Sequence, residues 1–193
     1  MAHTHVLVRQ ALFVALTLSL LSLLDGCSGP FRDPLEQANS SVAKANEAIA
    51  EHNGLSEEAR NLYEEARGDI ESGEEPSEGS TERIAQARET MQEARDTLEE
   101  ARGPLAGVQD LEVDPAVKEY AQLLSDTLDA QLAAEAREIE FYEIAESDPE
   151  LDENRDRAED LIAQIGDGYR RAQDSYDRAQ EIADANPELL EGS

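Results

Sequence analysis

Few side chains in this chain can act as nucleophiles, general bases or soft metal ligands. Its 193 residues include one cysteine, Cys27, and three histidines, His3, His5 and His52. The first two histidines lie in an N-terminal segment that we expect to be removed, which leaves too few imidazoles and thiols for a metal site of that type. No glycine-rich phosphate loop or nucleophile elbow occurs in the sequence either. We therefore predict that the protein is not an enzyme and that it binds no cofactor or metal.

His52 is the one histidine expected in the mature chain. It falls on the apolar side of a predicted helix, next to Asn53-Gly54, where that helix could break, bend or continue. We expect a partly exposed histidine there, without a role as ligand or base. The many carboxylates do not indicate acid–base catalysis by themselves, because catalysis needs a shielded environment that shifts a pKa.

One group of carboxylates has the spacing of a calcium-binding loop. Positions 1, 3, 5, 7, 9 and 12 of an EF-hand-like loop are occupied by Asp148, Glu150, Asp152, Asn154, Asp156 and Glu159. However, Glu153 stands at position 6, where the sharp turn needs glycine, and Arg155 replaces the usual apolar residue at position 8. Pro149 is expected to start a helix within the loop. We therefore predict no specific calcium site.

The tyrosines are the other candidates for a binding site. All five lie on predicted apolar helix faces: Tyr63, Tyr120, Tyr142, Tyr169 and Tyr176. They could line a ligand groove or fill the core between alanines. We favour core packing, with the hydroxyls at the bundle surface.

An apolar run near the N-terminus predicts export. Ala11 to Leu24 contains only apolar, serine and threonine residues, and Arg9 precedes it. Its 14 residues fit the apolar region of a signal peptide, whereas a membrane-spanning helix needs about 20. We therefore predict a signal peptide over residues 1–26. An uncleaved signal anchor is the alternative.

Cys27 directly follows this segment. The stretch Leu24-Asp25-Gly26-Cys27 resembles the lipobox of bacterial lipoproteins, in which a leucine three residues before the cysteine and a small residue just before it direct processing. Leu24 and Gly26 match that pattern, and Asp25 departs from it. The resemblance, which covers the leader alone, implies cleavage before Cys27 and lipidation of its thiol. The chain would then be anchored at the extracytoplasmic face of a cell membrane, with residues 27–33 as lipidated N-terminus and tether.

The charge of the chain excludes one class of partner. It has 45 acidic and 16 basic side chains, a net charge of −29. Loss of residues 1–26 leaves that charge unchanged, because it removes one side chain of each sign. Such a chain lacks the basic patch that nucleic acid requires, and an anionic lipid surface repels it. We expect no nucleic-acid partner, and we expect membrane attachment through the lipid anchor.

Residues 34–186 show the heptad spacing of helices that pack along a seam, meaning the line of positions that faces a neighbouring helix. Asp33-Pro34 and Asp114-Pro115 have the sequence of helix caps. The second predicted seam is Ile84, Ala87, Met91, Ala94, Leu98 and Ala101. The fourth predicted seam is Leu151, Ala158, Ile162, Ile165, Tyr169, Ala172, Tyr176 and Ala179.

The tripeptide Glu-Ala-Arg recurs at whole-heptad separations, at residues 58–60, 65–67, 93–95 and 100–102. We interpret this repeat as packing, with each alanine on a seam and each arginine on a solvated flank. There, pairs such as Arg60 with Glu64 would form within one helix.

Four amphipathic segments with short connections predict an all-α domain over residues 34–186. We expect an elongated antiparallel bundle of about four Ala-rich, coiled-coil-like helices. Gly103-Pro104 should end or kink the second helix, the fourth helix should open at Pro149, and residues 187–193 should form a C-terminal tail.

Two hypotheses for function follow from these patterns. The first is a lipid-anchored extracytoplasmic protein that acts as a non-catalytic interaction or spacer module and has a protein partner in the cell envelope. The alternative is a small-ligand or cation-binding envelope lipoprotein. A buried pocket lined by tyrosines and a charge pair would favour the alternative, whereas a continuously packed alanine seam would favour the spacer.

Overall fold

The computed structural model describes residues 33–72 and 78–190. The predicted signal peptide and Cys27 lie outside the described residues, as do residues 73–77 and 191–193. Within the described ranges the chain forms helices and short connections without strands, so the predicted all-α bundle is confirmed. The described residues form four long and two short helices: α1 (Pro34–Glu71), α2 (Glu78–Glu100), α3 (Arg102–Val108), α4 (Pro115–Ser147), α5 (Arg155–Ala185) and α6 (Pro187–Leu190).

The two predicted helix caps are confirmed. Asp33 Oδ1 accepts a hydrogen bond from the Leu35 amide at 2.9 Å, and Asp114 Oδ1 accepts one from the Ala116 amide at 2.8 Å. Each carboxylate satisfies an amide that has no partner inside its helix, and a proline occupies the first helical position. α1 then continues through Gly54 without a break.

The region around Gly103-Pro104 is more helical than predicted. α3 begins two residues after α2 ends, which places Pro104 in its first turn. A proline is tolerated there because the first amides of a helix have no intrahelical acceptor. Leu105 and Val108 of α3 are buried, and the irregular connection to α4 starts only after Val108.

The prediction that the fourth long helix opens at Pro149 is wrong. Residues 148–154 form a loop, and α5 begins at Arg155. The Asp148 carboxylate accounts for the delay, because its oxygens accept hydrogen bonds from the backbone amides of residues 152–154 at 2.9–3.2 Å. Side-chain acceptors of this kind compete with helical hydrogen bonding.

Helix packing is sequential along most of the chain. α1 packs on α2, α2 on α4, and α4 on α5, and α3 lies against α1 and α4. The largest apolar cluster includes Leu98 and Leu128. A second cluster contains Met91 and Phe141, and a third contains Ile84. α6 directly follows α5 and lies within residues 187–193, which we predicted to be a C-terminal tail. Its Leu189 packs against the largest cluster.

The predicted seam of the second helix is confirmed, since all six of its residues are buried. The prediction for the fourth long helix is wrong at Ile162, which is 41% exposed, whereas Leu161 is 3% exposed. Both placements fit a three-four spacing. Gly168 decides between them, because it faces Ala134 of α4 at a distance that leaves no room for a side chain.

None of the helices within residues 33–72 and 78–190 combines the length and the apolar content that crossing a membrane requires.

Candidate functional site

Polar residues interrupt the seam of α4. From Leu124 and Leu128 the heptad spacing leads to Gln131, Glu135 and Glu138, before it returns to an aromatic residue at Tyr142. Glu135 and Glu138 are buried. We name the group that meets here the polar layer. It comprises Gln131, Glu135, Glu138 and Tyr142 of α4, His52 and Arg60 of α1, and Tyr169 of α5.

The helices bring these residues together from distant parts of the chain. The backbones of α1 and α4 come close at few positions, so longer side chains span the gap between them. His52 and Arg60 are two helical turns apart on α1 and extend toward α4. Tyr169 lies on α5, which packs against α4, and its hydroxyl donates a hydrogen bond to Glu138. The polar layer thus connects three helices.

His52 and Glu135 form a buried pair. His52 is 1% exposed and Glu135 is 0% exposed, and 2.6 Å separates His52 Nε2 from Glu135 Oε1. The other ring nitrogen, Nδ1, lies 3.2 Å from Asn53 Oδ1. Gln131 Nε2 lies 3.4–3.5 Å from both ring nitrogens. The prediction of a partly exposed histidine is therefore wrong, because α1 continues straight past Gly54 and keeps His52 on the buried side.

Glu138 is saturated with hydrogen bonds. Arg60 donates to both of its oxygens, from Nε to Oε1 at 2.9 Å and from Nη2 to Oε2 at 3.1 Å. The Tyr142 hydroxyl donates to Oε1 at 3.0 Å, and the Tyr169 hydroxyl donates to Oε2 at 2.7 Å. The Tyr169 oxygen also accepts a hydrogen bond from Arg60 Nη2 at 2.6 Å. The predicted pairing of Arg60 with Glu64 is wrong, because Arg60 turns inward to this carboxylate.

The electrostatics of this cluster keep Glu138 ionised. Burial raises the pKa of Glu138, but the charge of Arg60 and the hydrogen bonds from Arg60, Tyr169 and Tyr142 outweigh it, so the pKa lies below its ordinary value. Burial likewise opposes the charge of Arg60, and Tyr169 and Glu138 raise its pKa above the ordinary value. Burial, followed by the charge of Glu138, raises the pKa of both tyrosines well above the ordinary value, so their hydroxyls remain donors.

Close helix packing adjoins the polar layer. A Cβ built on Gly168 would lie 2.7 Å from Ala134 Cβ, so α4 and α5 are in direct backbone contact there. On the other side, the ring of Tyr63 packs edge-on against Phe141, with 5.3 Å between centroids. The polar groups therefore meet one another inside a packed interface.

The tyrosines are packed into or against the core, as predicted for their rings. Tyr120 and Tyr142 are buried, and Tyr63, Tyr169 and Tyr176 are half-buried. The prediction that the hydroxyls reach the surface is wrong for Tyr142 and Tyr169, because Glu138 offers them a buried acceptor. Burial raises the pKa of Tyr63 to about 12, and burial followed by Tyr176 does the same for Tyr120.

The carboxylates with calcium-loop spacing lie around the connection between α4 and α5. Asp148 uses its oxygens for the loop itself, since Asn154 Nδ2 also donates to Oδ2 at 3.0 Å. Although desolvation raises the pKa of Asp148, the hydrogen bonds from Asn154, Glu153 and Asp152 bring it below the ordinary value. In the described part of the chain, no three histidine, cysteine, aspartate or glutamate side chains are arranged to hold a metal ion.

The Glu-Ala-Arg repeats are packing elements at their alanines, as predicted. The four alanines are buried: Ala59, Ala66, Ala94 and Ala101.

The polar layer has a signal in the sequence, because three successive positions of the α4 seam are polar: Gln131, Glu135 and Glu138. Leu132 and Ile139 lie one position away, and Leu132 is buried as well, so a pattern of apolar residues passes over Gln131 and Glu138.

Comparisons with known proteins leave the family open: no protein-family model, no curated protein and no solved structure matches this chain.

Proposed function

We propose that the chain is a lipid-anchored extracytoplasmic protein that acts as a non-catalytic interaction or spacer module of the cell envelope. The observation that carries this proposal is the position of Cys27, three residues after Leu24, which ends the apolar run. Cleavage before Cys27 and lipidation of its thiol would leave residues 27–33 as the tether. An elongated antiparallel bundle would then stand on that tether.

The dimensions of the helices support a spacer. α1 has 38 residues and α4 has 33, which correspond to lengths of about 57 Å and about 50 Å at 1.5 Å per residue. Along α1, buried alanines alternate with larger residues, at Ala38, Ala45, Ala59 and Ala66, which allows close interhelical contact. A stiff helical body of this length would hold a partner at a fixed distance from the anchor.

The net charge supports a body that projects away from the membrane. At −29 the chain is repelled by anionic lipid headgroups. The lipid would hold one end at the surface while the charge orients the rest outward. We propose a protein partner in the envelope that meets this acidic surface.

The polar layer supports a non-catalytic role. Arg60, Tyr142 and Tyr169 all donate to Glu138, so the groups that a substrate would need are already paired with one another. The polar layer contains the two tyrosines and the charge pair that would favour a ligand site, but their hydrogen bonds are made to one another.

One observation favours the alternative of a small-ligand or cation-binding lipoprotein. Glu135 Oε2 is buried and has no hydrogen-bond partner among the described residues. A cation or a polar ligand beside this oxygen would satisfy it. A saturable rise in melting temperature with micromolar calcium at constant ionic strength, lost in Glu135→Gln, would favour this alternative over the spacer.

The anchor is tested by expressing the full chain in a bacterium beside Cys27→Ser. We expect the wild type to partition into the membrane fraction and to gain the mass of acyl chains, and we expect Cys27→Ser to gain none. Ser28→Ala is the matched control, because it leaves residues 24–27 intact and should be lipidated like the wild type. A wild type retained in the membrane without added lipid mass would instead support the uncleaved signal anchor.

A further inference from the structure

The apolar core of the bundle is divided into two halves. The largest cluster includes Leu105 of α3 and Leu128 of α4, and we call the part of the bundle around it the α3 half. The second and third clusters include Met91 and Ile84, and we call the part around them the loop half, because Leu151 of the α4–α5 connection packs against both. Across residues 33–72 and 78–190, no apolar residue belongs to or packs against the clusters of both halves.

Buried polar or small residues lie between the two halves. Glu135 and Glu138 of α4 and His52 of α1 belong to the polar layer and are buried. Beside them, Gly168 of α5 faces Ala134 of α4 without room for a side chain. The seam of α2 crosses this level without a polar member. On the other three long helices, the polar layer interrupts the apolar contact between the two halves.

The four long helices form two pairs that the chain joins at one end. α1 packs on α2, and α4 packs on α5. The chain passes from the first pair to the second through α3, which packs against both α1 and α4. The third cluster brings together Ala66 near the end of α1, Ile84 near the start of α2 and Ala145 near the end of α4. In the loop half the chain therefore connects helices within each pair, and the link between the pairs lies in the α3 half.

Side-chain contacts hold the two pairs together in the loop half. The ring of Tyr63 on α1 packs against Phe141 and Tyr142 of α4, with 5.3 Å and 5.2 Å between centroids. Arg88 Nε of α2 donates to Glu146 Oε2 of α4 at 3.0 Å, and these side chains are 32% and 34% exposed. An ion pair so open to water contributes little stability, because solvent screens it.

The buried side chains of the two halves differ in size. Leucine is the most frequent residue of the cluster in the α3 half, whereas alanine is the most frequent in the clusters of the loop half. The stabilisation from burial grows with the apolar area removed from water. The loop half is therefore the less stable of the two.

We propose that the bundle opens at the loop half while the α3 half stays folded. The α1–α2 pair moves away from the α4–α5 pair, with α3 at the hinge and the polar layer as the boundary of the opening. Parts of a fold that share few buried apolar contacts open separately, at a lower free energy than global unfolding. Opening exposes Met91 and Phe141, which are buried in the closed bundle. This motion goes beyond the proposed function and is independent of lipid anchoring.

Hydrogen exchange of the full chain in nonionic detergent tests the proposal, with mass spectrometry at urea concentrations below the unfolding midpoint. We compare amides from the interior of the helices. We expect the opening that exposes the loop half to be at least about tenfold more populated than the opening that exposes the α3 half. Along α4, the change in protection should fall between Leu128 and Phe141. Equal protection in both halves, or faster exchange in the α3 half, would overturn the proposal.

Two truncations at fully buried positions give a second test. Leu128→Ala lies in the α3 half, which stays folded in the open form, so it should speed exchange there at least about tenfold and leave the loop half unchanged. Met91→Ala is the matched control in the loop half. It should speed exchange in both halves, because global unfolding includes the opening of the loop half. If Leu128→Ala accelerated both halves by the same factor, the bundle would be one cooperative unit and the proposal would be wrong.

Discussion

The seams of α2 and α4 share one spacing and differ in content. The five seam residues within α2, and Ala101 directly after it, are apolar and buried. On α4 the same spacing leads from leucines through Gln131, Glu135 and Glu138. An apolar seam accepts any apolar neighbour, whereas each buried carboxylate needs a particular donor on another helix.

The difference bears on how the helices align. A seam that alternates alanine with larger residues repeats every heptad, so a shift by one heptad would preserve much of its packing. The polar layer is satisfied in one alignment only, where His52 meets Glu135 and Arg60 meets Glu138. We infer that apolar seams such as that of α2 stabilise the bundle without fixing one alignment and that the polar layer sets the register of α1 against α4.

The largest effect is expected on the apolar seam. Leu98→Asp would place a carboxylate without a partner at a fully buried position of α2. We expect the free energy of unfolding to fall by about 4 kcal/mol or more, measured by urea denaturation. Ile162→Asp is the control, because it introduces the same carboxylate at an exposed aliphatic position and should change stability by less than about 1 kcal/mol. Equal losses in both variants would contradict the assignment of the α5 seam.

The polar layer should be sensitive to the loss of one partner and tolerant of the loss of both. Arg60→Met leaves Glu138 buried without its cation, and we expect a loss of about 3 kcal/mol. Arg60→Met/Glu138→Leu removes both charges and should recover most of that loss. Thermal unfolding of the three proteins measures the recovery.

A double variant as unstable as Arg60→Met would mean that the charge pair itself contributes net stability. A double variant that is stable but populates several conformations in NMR spectra would support the role of the polar layer in register.

The contrast between α2 and α4 also explains what could be predicted from the sequence. The second seam was predicted at every residue because the one apolar residue of α2 beside it is the small Ala85. On α4, Leu132 and Ile139 stand next to Gln131 and Glu138, and Leu132 is buried too, so a pattern that counts apolar residues gives no sign that the neighbouring glutamates are also buried. Burial of the two glutamates depends on Arg60 and His52, which are more than 70 residues away in the chain.

The same limit applies to α5 and to the loop before it. Ile162 and Leu161 are equivalent in a search for heptads, and the choice between them depends on contact between Gly168 and Ala134. The late start of α5 depends on hydrogen bonds to Asp148. Tertiary contacts decide both, whereas the caps at Asp33 and Asp114 are local and were predicted.

Glycines of α5 offer a finer test of how closely it approaches α4. Gly168→Ala would place Cβ 2.7 Å from Ala134 Cβ and 3.2 Å from Ala134 Cα. We expect a loss of about 1–3 kcal/mol, because the backbones must move apart beside the polar layer. Gly166→Ala is the matched control, because among the described residues no heavy atom beyond its chain neighbours and the nearby backbone of its own helix lies within 4 Å of the added Cβ. It should stabilise the helix by up to about 1 kcal/mol, and a loss there equal to that at Gly168 would contradict the close contact.

The smallest effect is expected from acid acting on Glu138. Its pKa lies below the ordinary value because the charge and hydrogen bonds of Arg60, with those of Tyr169 and Tyr142, outweigh burial. A glutamate in the unfolded chain titrates near pH ~4.3. The stabilisation that Glu138 provides is therefore complete above that pH and is lost as the pH falls through its lower folded-state value.

The other carboxylates titrate in every variant, so the difference in unfolding free energy between the wild type and Glu138→Gln isolates this one group. We expect that difference to be constant above pH ~5.5 and to shrink in more acidic solution by at most about 1.4 kcal/mol per pH unit. Glu143→Gln, at an exposed position of the same helix, is measured in the same way as the control. If the difference in unfolding free energy between the wild type and Glu138→Gln stayed constant down to pH 3, Arg60 would not be what keeps Glu138 ionised. The burial of this carboxylate on the α4 seam would then need another explanation.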